Sequence, residues 1–316
     1  MEGSDRALHG AATGPEMGPR APAVERHDSV LGRWEIVRWS PPDLVGLVQE
    51  IWYFEGVLAH RRERHYPTGC LDIAVHLGPR YGRVEGDFVN PFPTVSVSGL
   101  HLAPDVIEAP AERSAVLGIV LHPPGALRLL AIPLSELTGR DEDLGAVLPA
   151  RWSHTLTECL GEAASGVDRV RVAEGWVRRR LARDAALREG SRTVRSFPDP
   201  DVLRAADTLR RSGGRSTVQE LAEAAGGSRS RFSTLFREQI GVPPKTYARV
   251  QRFRSALGEL TGGRPERGLS EIALQAGYYD QAHFNRDFRE FSGVTPSEYL
   301  ARIRFPESPS TAEASP

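Results

Sequence analysis

Two hydrophobic periodicities divide the chain into a region of short strands and a region of helices. Between residues 65 and 121 apolar positions alternate with polar or small ones, most clearly over 71–77, where every second residue is apolar. Such alternation predicts a strand with one buried face. Further strands are predicted over 34–37, 94–99 and 114–121. From residue 201 onward apolar residues recur at intervals of three and four, which predicts amphipathic helices.

Short strands separated by turns predict a small barrel or sandwich in the N-terminal part. Helices are predicted around it, over 42–52, 125–130, 135–137 and, as one or two amphipathic helices, 151–183. The first of these predictions rests on four apolar residues that would share one helical face, Leu44, Leu47, Val48 and Ile51. The fold class is therefore predicted to be α+β, with a small N-terminal β-barrel, flanking helices and an all-α C-terminal part.

Residues 270–304 predict a helix-turn-helix followed by a third helix. The N-caps are predicted at Ser270 and Asp280, and the helix ends at Gly277 and Gly293. The second helix has an apolar stripe of Phe284, Phe288 and Phe291. Its outer side and N-terminal turn carry Gln281, Ala282, His283, Asn285, Arg286 and Arg289. A polar, cationic outer face on this helix suits the DNA major groove; the alternative is a helical hairpin whose polar face simply meets water.

A second copy of this pattern lies 51 or 52 residues upstream. The closing motif Gly-Val-x-Pro-x-x-Tyr occurs in both copies, at 241–247 and 293–299. Thr217 and Glu220 predict a capping box in the first copy, and Ser228 a cap on its second helix. The outer face of that helix carries Arg229, Ser230, Ser233, Thr234 and Arg237. A leading helix over 201–211 and a connecting helix over 245–260 complete the predicted unit.

Two helix-turn-helix units that each end in this motif resemble the AraC/XylS family of bacterial transcription regulators. The resemblance covers about residues 200–304, and the segment GVTPSEYLARIR is among the most specific parts of the family's pattern. It implies a cytoplasmic, sequence-specific DNA-binding transcription regulator without enzymatic activity. The implied partner is double-stranded promoter or operator DNA. A small-molecule effector, RNA polymerase and a second copy of the chain are further expected partners, and a membrane is not.

The two units are expected to contribute unequally to base reading. In the family that this chain resembles, the residue two before the second phenylalanine of the stripe is commonly an arginine that reads or clamps DNA. Arg286 occupies this position in the second unit, whereas the first unit has Thr234. We therefore expect more base discrimination from the second unit, and mainly backbone positioning by Arg229 and Arg237 in the first.

The N-terminal part resembles the cupin-like sensory domains that precede AraC-type DNA-binding halves. More narrowly, the segments PTGCLDIAVHLG and LGIVLHPPGALRLLAIPLSEL resemble an uncharacterised domain often found in that position. This resemblance implies effector binding, dimerisation or both, and names no ligand. Two rival hypotheses are a metal-dependent cupin-like enzyme that carries a DNA-binding domain, and a barrel with a ligand-independent structural or interaction role.

Four histidines bear on the enzyme hypothesis, namely His65, His76, His101 and His122. Their gaps of 11, 25 and 21 residues lack the His-x-His spacing of a metal cupin. Alternating strand positions could still bring two imidazoles together, but no metal, cofactor or catalytic residue is predicted. The two cysteines, Cys70 and Cys159, are 89 residues apart and predict unpaired structural thiols.

Composition and charge support two domains. The chain has 316 residues with a net charge of −1, and residues 201–304 contain 17 Lys+Arg against 12 Asp+Glu, so +5 in this part is balanced by −6 elsewhere. This asymmetry fits a DNA-binding end on an acidic sensor. No apolar run approaches the ~20 residues that cross a bilayer. The predicted divisions are a disordered leader (1–28), a sensor or dimerisation domain (29–183), a linker (184–199), the DNA-binding domain (200–304) and a disordered tail (305–316).

Overall fold

Two antiparallel sheets form the N-terminal half of the protein. The computed structural model describes residues 21–189, 198–262 and 268–304. Its strands are β1 (Ala23–Ser29), β2 (Gly32–Trp39), β3 (Val48–Leu58), β4 (Arg62–His65), β5 (Leu71–His76), β6 (Gly82–Glu85), β7 (Phe88–Pro91), β8 (Val95–Ser98), β9 (Asp105–Glu108), β10 (Ser114–Leu121) and β11 (Asp141–Asp143). The larger sheet has the order β1-β2-β3-β10-β5-β8-β11, and the smaller one β4-β9-β6-β7.

Helices flank the larger sheet and form the whole C-terminal part. They are α1 (Pro123–Leu130), α2 (Leu144–Val147), α3 (Arg151–Glu162), α4 (Gly166–Glu189), α5 (Pro200–Arg211), α6 (Val218–Ala224), α7 (Arg229–Ile240), α8 (Pro244–Thr261), α9 (Leu269–Gln275), α10 (Gln281–Ser292) and α11 (Pro296–Arg304). Short 3₁₀ turns occupy Pro42–Leu44 and Leu134–Glu136. Among the described residues no helix is both long and apolar enough to span a bilayer.

The period-two pattern places every second residue of the larger sheet against the helices. Leu71, Ile73 and Val75 of β5 are fully buried in a cluster that also holds Trp176 of α4. Burial of each such side chain stabilises the fold by roughly 1.5–3 kcal/mol. The residues between them face the smaller sheet, and a cavity lies between the two sheets. The N-terminal half is therefore layered as helices, large sheet, cavity and small sheet.

Three sequence-based boundaries are wrong. Residues 48–52 belong to β3 rather than to a helix, because Gly46 adopts a left-handed φ of 84° and the residues after it pair with β2 and β10. Residues 23–28, assigned to the disordered leader, form most of β1 on the edge of the sheet. Residues 184–189, assigned to the linker, continue α4. The rest of the predicted leader up to residue 20, linker residues 190–197 and the tail 305–316 lie outside the described residues.

The other predicted elements are confirmed. β2, β5, β8 and β10 lie where alternation predicts strands, and 151–183 forms two helices, α3 and the start of α4. The leading and connecting helices appear as α5 and α8. The α+β fold class is likewise confirmed, with two facing sheets where a small barrel was predicted.

The two helix-turn-helix units have different hydrophobic environments. Phe232, Phe236 and Tyr247 of the first unit belong to the same buried cluster as Leu134 of the N-terminal half. The second unit has a cluster of its own, built around Phe253 of α8. The first unit therefore shares its core with the N-terminal half, whereas the second is packed mainly on itself and α8.

Candidate nucleic-acid interface

The first helix-turn-helix unit consists of α6 and α7. The Glu220 backbone N–H donates to Thr217 Oγ1 at 3.2 Å, and the Thr217 N–H donates to the Glu220 carboxylate at 2.9 Å, so the predicted capping box is confirmed. Ser228 Oγ caps α7 by accepting a backbone N–H at 3.3 Å. Phe232 and Phe236 point inward and are 4% and 0% exposed. This packing turns the opposite face of α7 toward solvent.

The second unit consists of α9 and α10. Asp280 Oδ1 caps α10 by accepting a backbone N–H at 2.7 Å. Gly277 and Gly293 follow the two helices with φ values of 85° and 79°, a conformation that glycine adopts without strain. The predicted apolar stripe of Phe284, Phe288 and Phe291 is fully buried.

Ser270 is not the cap of α9. The helix begins at Leu269 with Gly268 in the N-cap position, and no side chain caps it. The Ser270 hydroxyl instead donates to Gln281 Oε1 at 2.8 Å. Since Gln281 is the first residue of α10, this hydrogen bond joins the beginnings of the two helices.

Most of the predicted DNA-binding side chains lie on exposed surface. The exposed ones are Arg229, Ser230, Thr234 and Arg237 on α7, and Gln281, Ala282, Arg286 and Arg289 on α10. Ser233, His283 and Asn285 are only half-buried. The imidazole of His283 is partly engaged within the domain, with its edge against the Tyr278 ring at 5.2 Å and Nε2 3.7 Å from the Asp287 carboxylate.

The arginines on the exposed faces of α7 and α10 are not neutralised by acidic side chains that the structure describes. Arg229, Arg237, Arg286 and Arg289 form no ion pair with any residue that the structure describes. Those on α5 behave differently, since Arg204 pairs with Asp201 while Arg210 and Arg211 pair with Asp207. Unpaired guanidinium groups on a convex helix face can bind phosphate or base edges without first breaking an internal contact.

Thr234 and Arg286 occupy equivalent positions of the two units but differ in the hydrogen-bond donors that they present to solvent. The Thr234 hydroxyl donates to the Ser230 carbonyl within its own helix at 3.1 Å. Arg286 has no such internal partner among the described residues. The first unit therefore presents a short side chain whose hydroxyl proton is already in a hydrogen bond within the helix. The second unit presents a long guanidinium side chain without such a bond among the described residues.

Three arginines connect the two units, and the sequence motifs give no sign of them. Arg215 donates to the Gln275 carbonyl at 3.2 Å, and Arg252 of α8 donates to the Gly214 carbonyl at 2.7 Å. Arg249 of α8 bonds the Asp287 carboxylate of α10. These contacts bridge the first unit, the connecting helix and the second unit, so the two recognition helices are held in a defined relation.

A further exposed residue lies beside α10. Tyr279 is 88% exposed, immediately before the cap of that helix. An exposed aromatic residue at the helix entrance is well placed to touch a DNA backbone. In the sequence, only its position just before the predicted cap at Asp280 indicates that Tyr279 lies near the start of α10.

The N-terminal half contacts α8 through residues 66–70, which we call the docking segment. The Tyr66 ring meets the edges of Phe253 and Tyr299 at 6.4 and 5.8 Å. Gly69 has a left-handed φ of 68°, and a Cβ there would lie 2.5 Å from the side-chain nitrogen of Gln251. The left-handed backbone thus favours glycine, and an added Cβ would also force the end of the Gln251 side chain to shift.

Polar contacts add to this junction. Arg254 of α8 donates to Gln49 Oε1 at 3.2 Å, and the Cys70 thiol reaches the same oxygen at 3.1 Å. Near α7, the Thr138 hydroxyl donates to the Gly241 carbonyl at 2.8 Å. The N-terminal half therefore bonds both to the connecting helix and to the end of the first recognition helix.

The cavity between the sheets adjoins this junction. It has a volume of about 150 Å³, and Tyr66, Thr68 and Cys70 of the docking segment form part of its wall. Its floor is made of small residues, since Ala74 of β5 lies opposite Gly118 of β10 and opposite Ser96 of β8. The docking segment is thus shared by the cavity and the α8 contact.

Three of the four histidines considered above line the cavity. His65, His76 and His101 reach it, whereas His122 lies beside Cys70, with Nδ1 3.5 Å from Sγ. Burial lowers the pKa values of His65 and His76 to about 4. Within the described ranges no three or more His, Cys, Asp and Glu side chains are grouped to hold a metal ion. Both cysteines are unpaired.

Two family models match separate parts of the chain. A helix-turn-helix domain model matches residues 221–302, and a domain of unknown function, DUF6597, matches residues 40–143. The first match covers the two units described above, and the second covers most of the sheets and the cavity. The predicted resemblances of both halves are confirmed.

Curated relatives match over a limited length. An uncharacterised HTH-type transcriptional regulator of Haemophilus influenzae is 33% identical over 86 residues, which is 27% of this chain and 28% of the relative. The probable transcriptional regulator LumQ of Photobacterium leiognathi is 33% identical over 88 residues, or 28% of this chain and 35% of the relative. The chain thus spans about a third of the length of these relatives.

Solved structures also resemble this chain. ToxT from Vibrio cholerae shares 11% sequence identity and has a TM-score of 0.41, with 77% of this chain and 96% of ToxT covered. An AraC family transcriptional regulator from Rhodopseudomonas palustris, described as probable, shares 26% identity over 33% of this chain and 98% of its own, with a TM-score of 0.31.

Proposed function

We propose that this chain, whose C-terminal part is an AraC-type double helix-turn-helix domain behind a DUF6597 domain, is a sequence-specific DNA-binding transcription regulator. The observation that carries the proposal is the pair of solvent-exposed faces on α7 and α10, each bearing arginines that pair with no acidic residue in the described parts of the chain. It would act in the cytoplasm, where bacterial DNA lies, and would not be an enzyme.

Both recognition helices would contact the same duplex. The contacts of Arg215, Arg249 and Arg252 hold the two units together, so the helices can enter successive major grooves, about 34 Å apart along the duplex. In the second unit Arg286 would read base edges, aided by Asn285 and by Gln281 at the start of the helix. Arg289 and Tyr279 would contact the sugar-phosphate backbone nearby.

The first recognition helix would mainly position the protein. Arg229 and Arg237 can neutralise phosphates, whereas Ser230, Ser233 and Thr234 have short side chains that reach less far into a groove. Phosphate contacts set register and orientation without reading sequence. Discrimination would therefore come mostly from α10.

The N-terminal half would control this DNA-binding unit through the docking segment. Residues 66–70 form part of the cavity wall and also touch α8, the helix that carries both units. A small molecule in the cavity would change DNA affinity only if it bound differently to two positions of this segment. Homodimerisation through the N-terminal half and contact with RNA polymerase are further parts of the proposal.

The test is DNA binding by the full-length chain, measured by fluorescence anisotropy on a library-selected site as salt rises from ~50 to ~200 mM. Affinity should fall by orders of magnitude, because phosphate contacts release counterions. Arg237→Ala should reduce the slope of log affinity against log salt concentration by about one. Arg211→Ala is the matched control, since this exposed arginine on α5 is already paired with Asp207. A folded protein without salt-sensitive DNA binding would contradict the proposal.

A further inference from the structure

The cavity between the two sheets has more acidic than basic groups. Asp72, Asp105 and Asp141 line it together with Arg83. Arg83 Nη2 lies 2.5 Å from a carboxylate oxygen of Asp105 and 2.5 Å from one of Asp141. One guanidinium is thus shared by two carboxylates, and none remains for Asp72.

Asp72 has no direct partner inside the described parts of the chain. Its carboxyl group faces the cavity from the second residue of β5 and receives neither a hydrogen bond nor an ion pair from the described residues. His101, Asp141 and Arg254 act on it at longer range, and burial, the largest influence, raises its pKa to about 7. An ionised carboxylate in this position is costly unless a cation comes to it.

The histidines of the cavity do not supply that cation. Burial keeps His65 and His76 neutral near pH 7, with pKa values of about 4. His101 lies with Nε2 3.4 Å from Asp141 rather than beside Asp72. No cationic side chain that the structure describes lies within ion-pair distance of Asp72, so a cation that pairs with it directly would have to be a ligand.

Aromatic side chains form the other part of the cavity. The His76 ring stacks on Phe92 at 6.3 Å and lies 6.0 Å from the Tyr81 ring. The Trp52 indole lies against Gly118, where a Cβ would come within 2.4 Å of Nε1, so only glycine leaves room for it. These rings can receive an apolar group and can also attract a nearby cation through their faces.

We propose that this cavity binds a small organic ammonium ion, whose charged nitrogen pairs with the Asp72 carboxylate and whose short apolar body lies against Trp52 and Phe92. A volume of about 150 Å³ is that of a cavity that holds benzene, which sets the size of the ligand. An organic anion would meet three carboxylates and an arginine that is already paired. The inference rests on the proposed function only in assigning this ion the role of effector.

The same site connects to the DNA-binding domain. Asp72 follows the docking segment by two residues, and Arg254 of α8 already acts on its carboxylate. An ammonium ion at Asp72 would compete with this long-range attraction and contact the wall made by Tyr66 and Cys70. Ligand binding and the position of α8 would therefore be coupled.

Calorimetry on the full-length chain without DNA tests the binding site directly. The probes are benzylamine, benzyl alcohol and benzoate, which have similar size and carry positive, no and negative charge. At pH 8 benzylamine should bind at least ten times more tightly than the other two. Its affinity should fall about tenfold per pH unit below pH 7, because Asp72 must lose its proton to pair with the ammonium ion, which stays protonated throughout.

Two variants assign the effect to one carboxyl group. Asp72→Asn should weaken benzylamine binding at least tenfold at pH 8 and remove the pH dependence. Glu63→Gln is the matched control, because burial also raises the Glu63 pKa to about 7 although this residue does not line the cavity. It should leave both affinity and pH dependence unchanged.

Several outcomes would overturn the proposal: no binding of benzylamine, equal binding of the three probes, preference for benzoate, or unchanged binding by Asp72→Asn. If Asp72→Asn does not fold, the comparison of the three probes on the unaltered chain still decides whether the cavity prefers a cation. DNA binding measured without any amine tests the proposed function separately. A chain that binds DNA but no amine retains its function and loses only this inference.

Discussion

Arg249 of the connecting helix holds Asp287 of the second recognition helix in a buried ion pair. Arg249 Nη2 donates to Asp287 Oδ1 at 2.9 Å, and Nε lies 3.2 Å from both carboxylate oxygens. The Asp287 side chain is only 6% exposed. The guanidinium also bonds Glu290 and lies 5.1 Å from the centre of the Phe291 ring. This arginine therefore helps to orient α10 on α8, together with the packing of Phe288 and Phe291 on Phe253.

Removing Arg249 should be strongly destabilising. Arg249→Met leaves the buried Asp287 carboxylate with only the His283 imidazole nearby, at 3.7 Å, which should lower the free energy of unfolding by about 3 kcal/mol. Urea denaturation measures this loss. The control is Arg26→Met, which breaks the exposed pair of Arg26 and Glu35 and should cost at most about 1 kcal/mol.

A second substitution should restore the stability lost in Arg249→Met. The residue of the first unit equivalent to Asp287 is Leu235, so a leucine is compatible with this position of a recognition helix. Adding Asp287→Leu should recover most of the loss, because no buried charge then remains. If the double variant is less stable than Arg249→Met alone, the pair does not act as described.

The phenylalanine stripes should carry much of the stability of each unit. Phe236→Ala and Phe284→Ala each open a cavity at a fully buried position and should cost about 3–5 kcal/mol. Thermal denaturation measures the loss, and DNA binding should disappear with the fold. Leu274→Ala is the control, since this leucine is 64% exposed on α9. A variant of either phenylalanine that melts with the unaltered chain would show that the inward face is misassigned.

Local patterns were enough to predict the helix-turn-helix units, because their determinants lie close together in sequence. The stripe of α10 spans about two helical turns, and the caps at Thr217 and Asp280 and the glycines that end the helices each act within one turn. The buried pair of Arg249 and Asp287 joins residues 38 apart and depends on how α8 crosses α10. No motif of the repeat contains it.

In the N-terminal half, local sequence patterns likewise do not predict the cavity. Alternation over residues 71–77 correctly predicts that Asp72, Ala74 and His76 share a face. It cannot show that this face meets a second sheet rather than water, because that sheet forms only when β4 pairs with β9, whose residues lie about 40 positions further along the chain. Likewise, residues 48–52 have apolar spacing compatible with a helix, and only pairing with β2 and β10 makes them a strand.

Gly69 should be required for the junction between the docking segment and α8. Gly69→Ala imposes a left-handed backbone on alanine and brings its Cβ to within 2.5 Å of the buried Gln251 side chain. Gly86→Ala is a matched control, because Gly86 also has a left-handed φ, of 60°, but nothing within 4 Å.

Both glycine variants should lose about 1–3 kcal/mol from backbone strain. Only Gly69→Ala should lose further stability from crowding, because the end of the Gln251 side chain must move away from the new Cβ. Hydrogen exchange should then be faster along 244–261 in Gly69→Ala and unchanged there in Gly86→Ala. Equal losses and equal exchange would mean that the docking segment does not press on α8.

His122 should make stability depend on pH in the acidic range. Burial, and then the charges of Arg210 and Arg254, lower its pKa from about 6.5 to about 3. Below pH 6.5 the unfolded chain therefore binds a proton that the folded chain does not, so stability falls as pH falls. The contribution between pH 7 and pH 5 is about 2 kcal/mol.

The measurement compares variants, because Asp72 and Glu63 act in the opposite direction. Their pKa values are raised to about 7, so they favour the folded state as pH falls. His122→Asn should lose less stability than the unaltered chain between pH 7 and pH 5, by about 2 kcal/mol. His154→Asn, at an exposed position on α3, should follow the unaltered chain. If the curves of stability against pH are parallel for the unaltered chain and both variants, the pKa of His122 is not lowered in the folded state.

Arg286 should read DNA sequence, whereas Thr234 should not. Arg286 projects from α10 opposite the buried phenylalanines and has no internal partner among the described residues. An arginine so placed can donate two parallel hydrogen bonds to guanine, which alanine cannot replace. Arg286→Ala should therefore keep the fold, weaken the specific site by about 1–3 kcal/mol and relax the preference at one or two base pairs.

Thr234→Ala tests the equivalent position of the first unit. The Thr234 hydroxyl already donates to the Ser230 carbonyl at 3.1 Å, so its loss should change sequence preference less. Selection of binding sites from a random library, with both variants and the unaltered chain, compares the recovered motifs. Affinity for random DNA should fall much less than affinity for the selected site in Arg286→Ala. If Arg286→Ala recovers an unchanged motif while Thr234→Ala degrades its half-site, the dominant reader is α7 rather than α10.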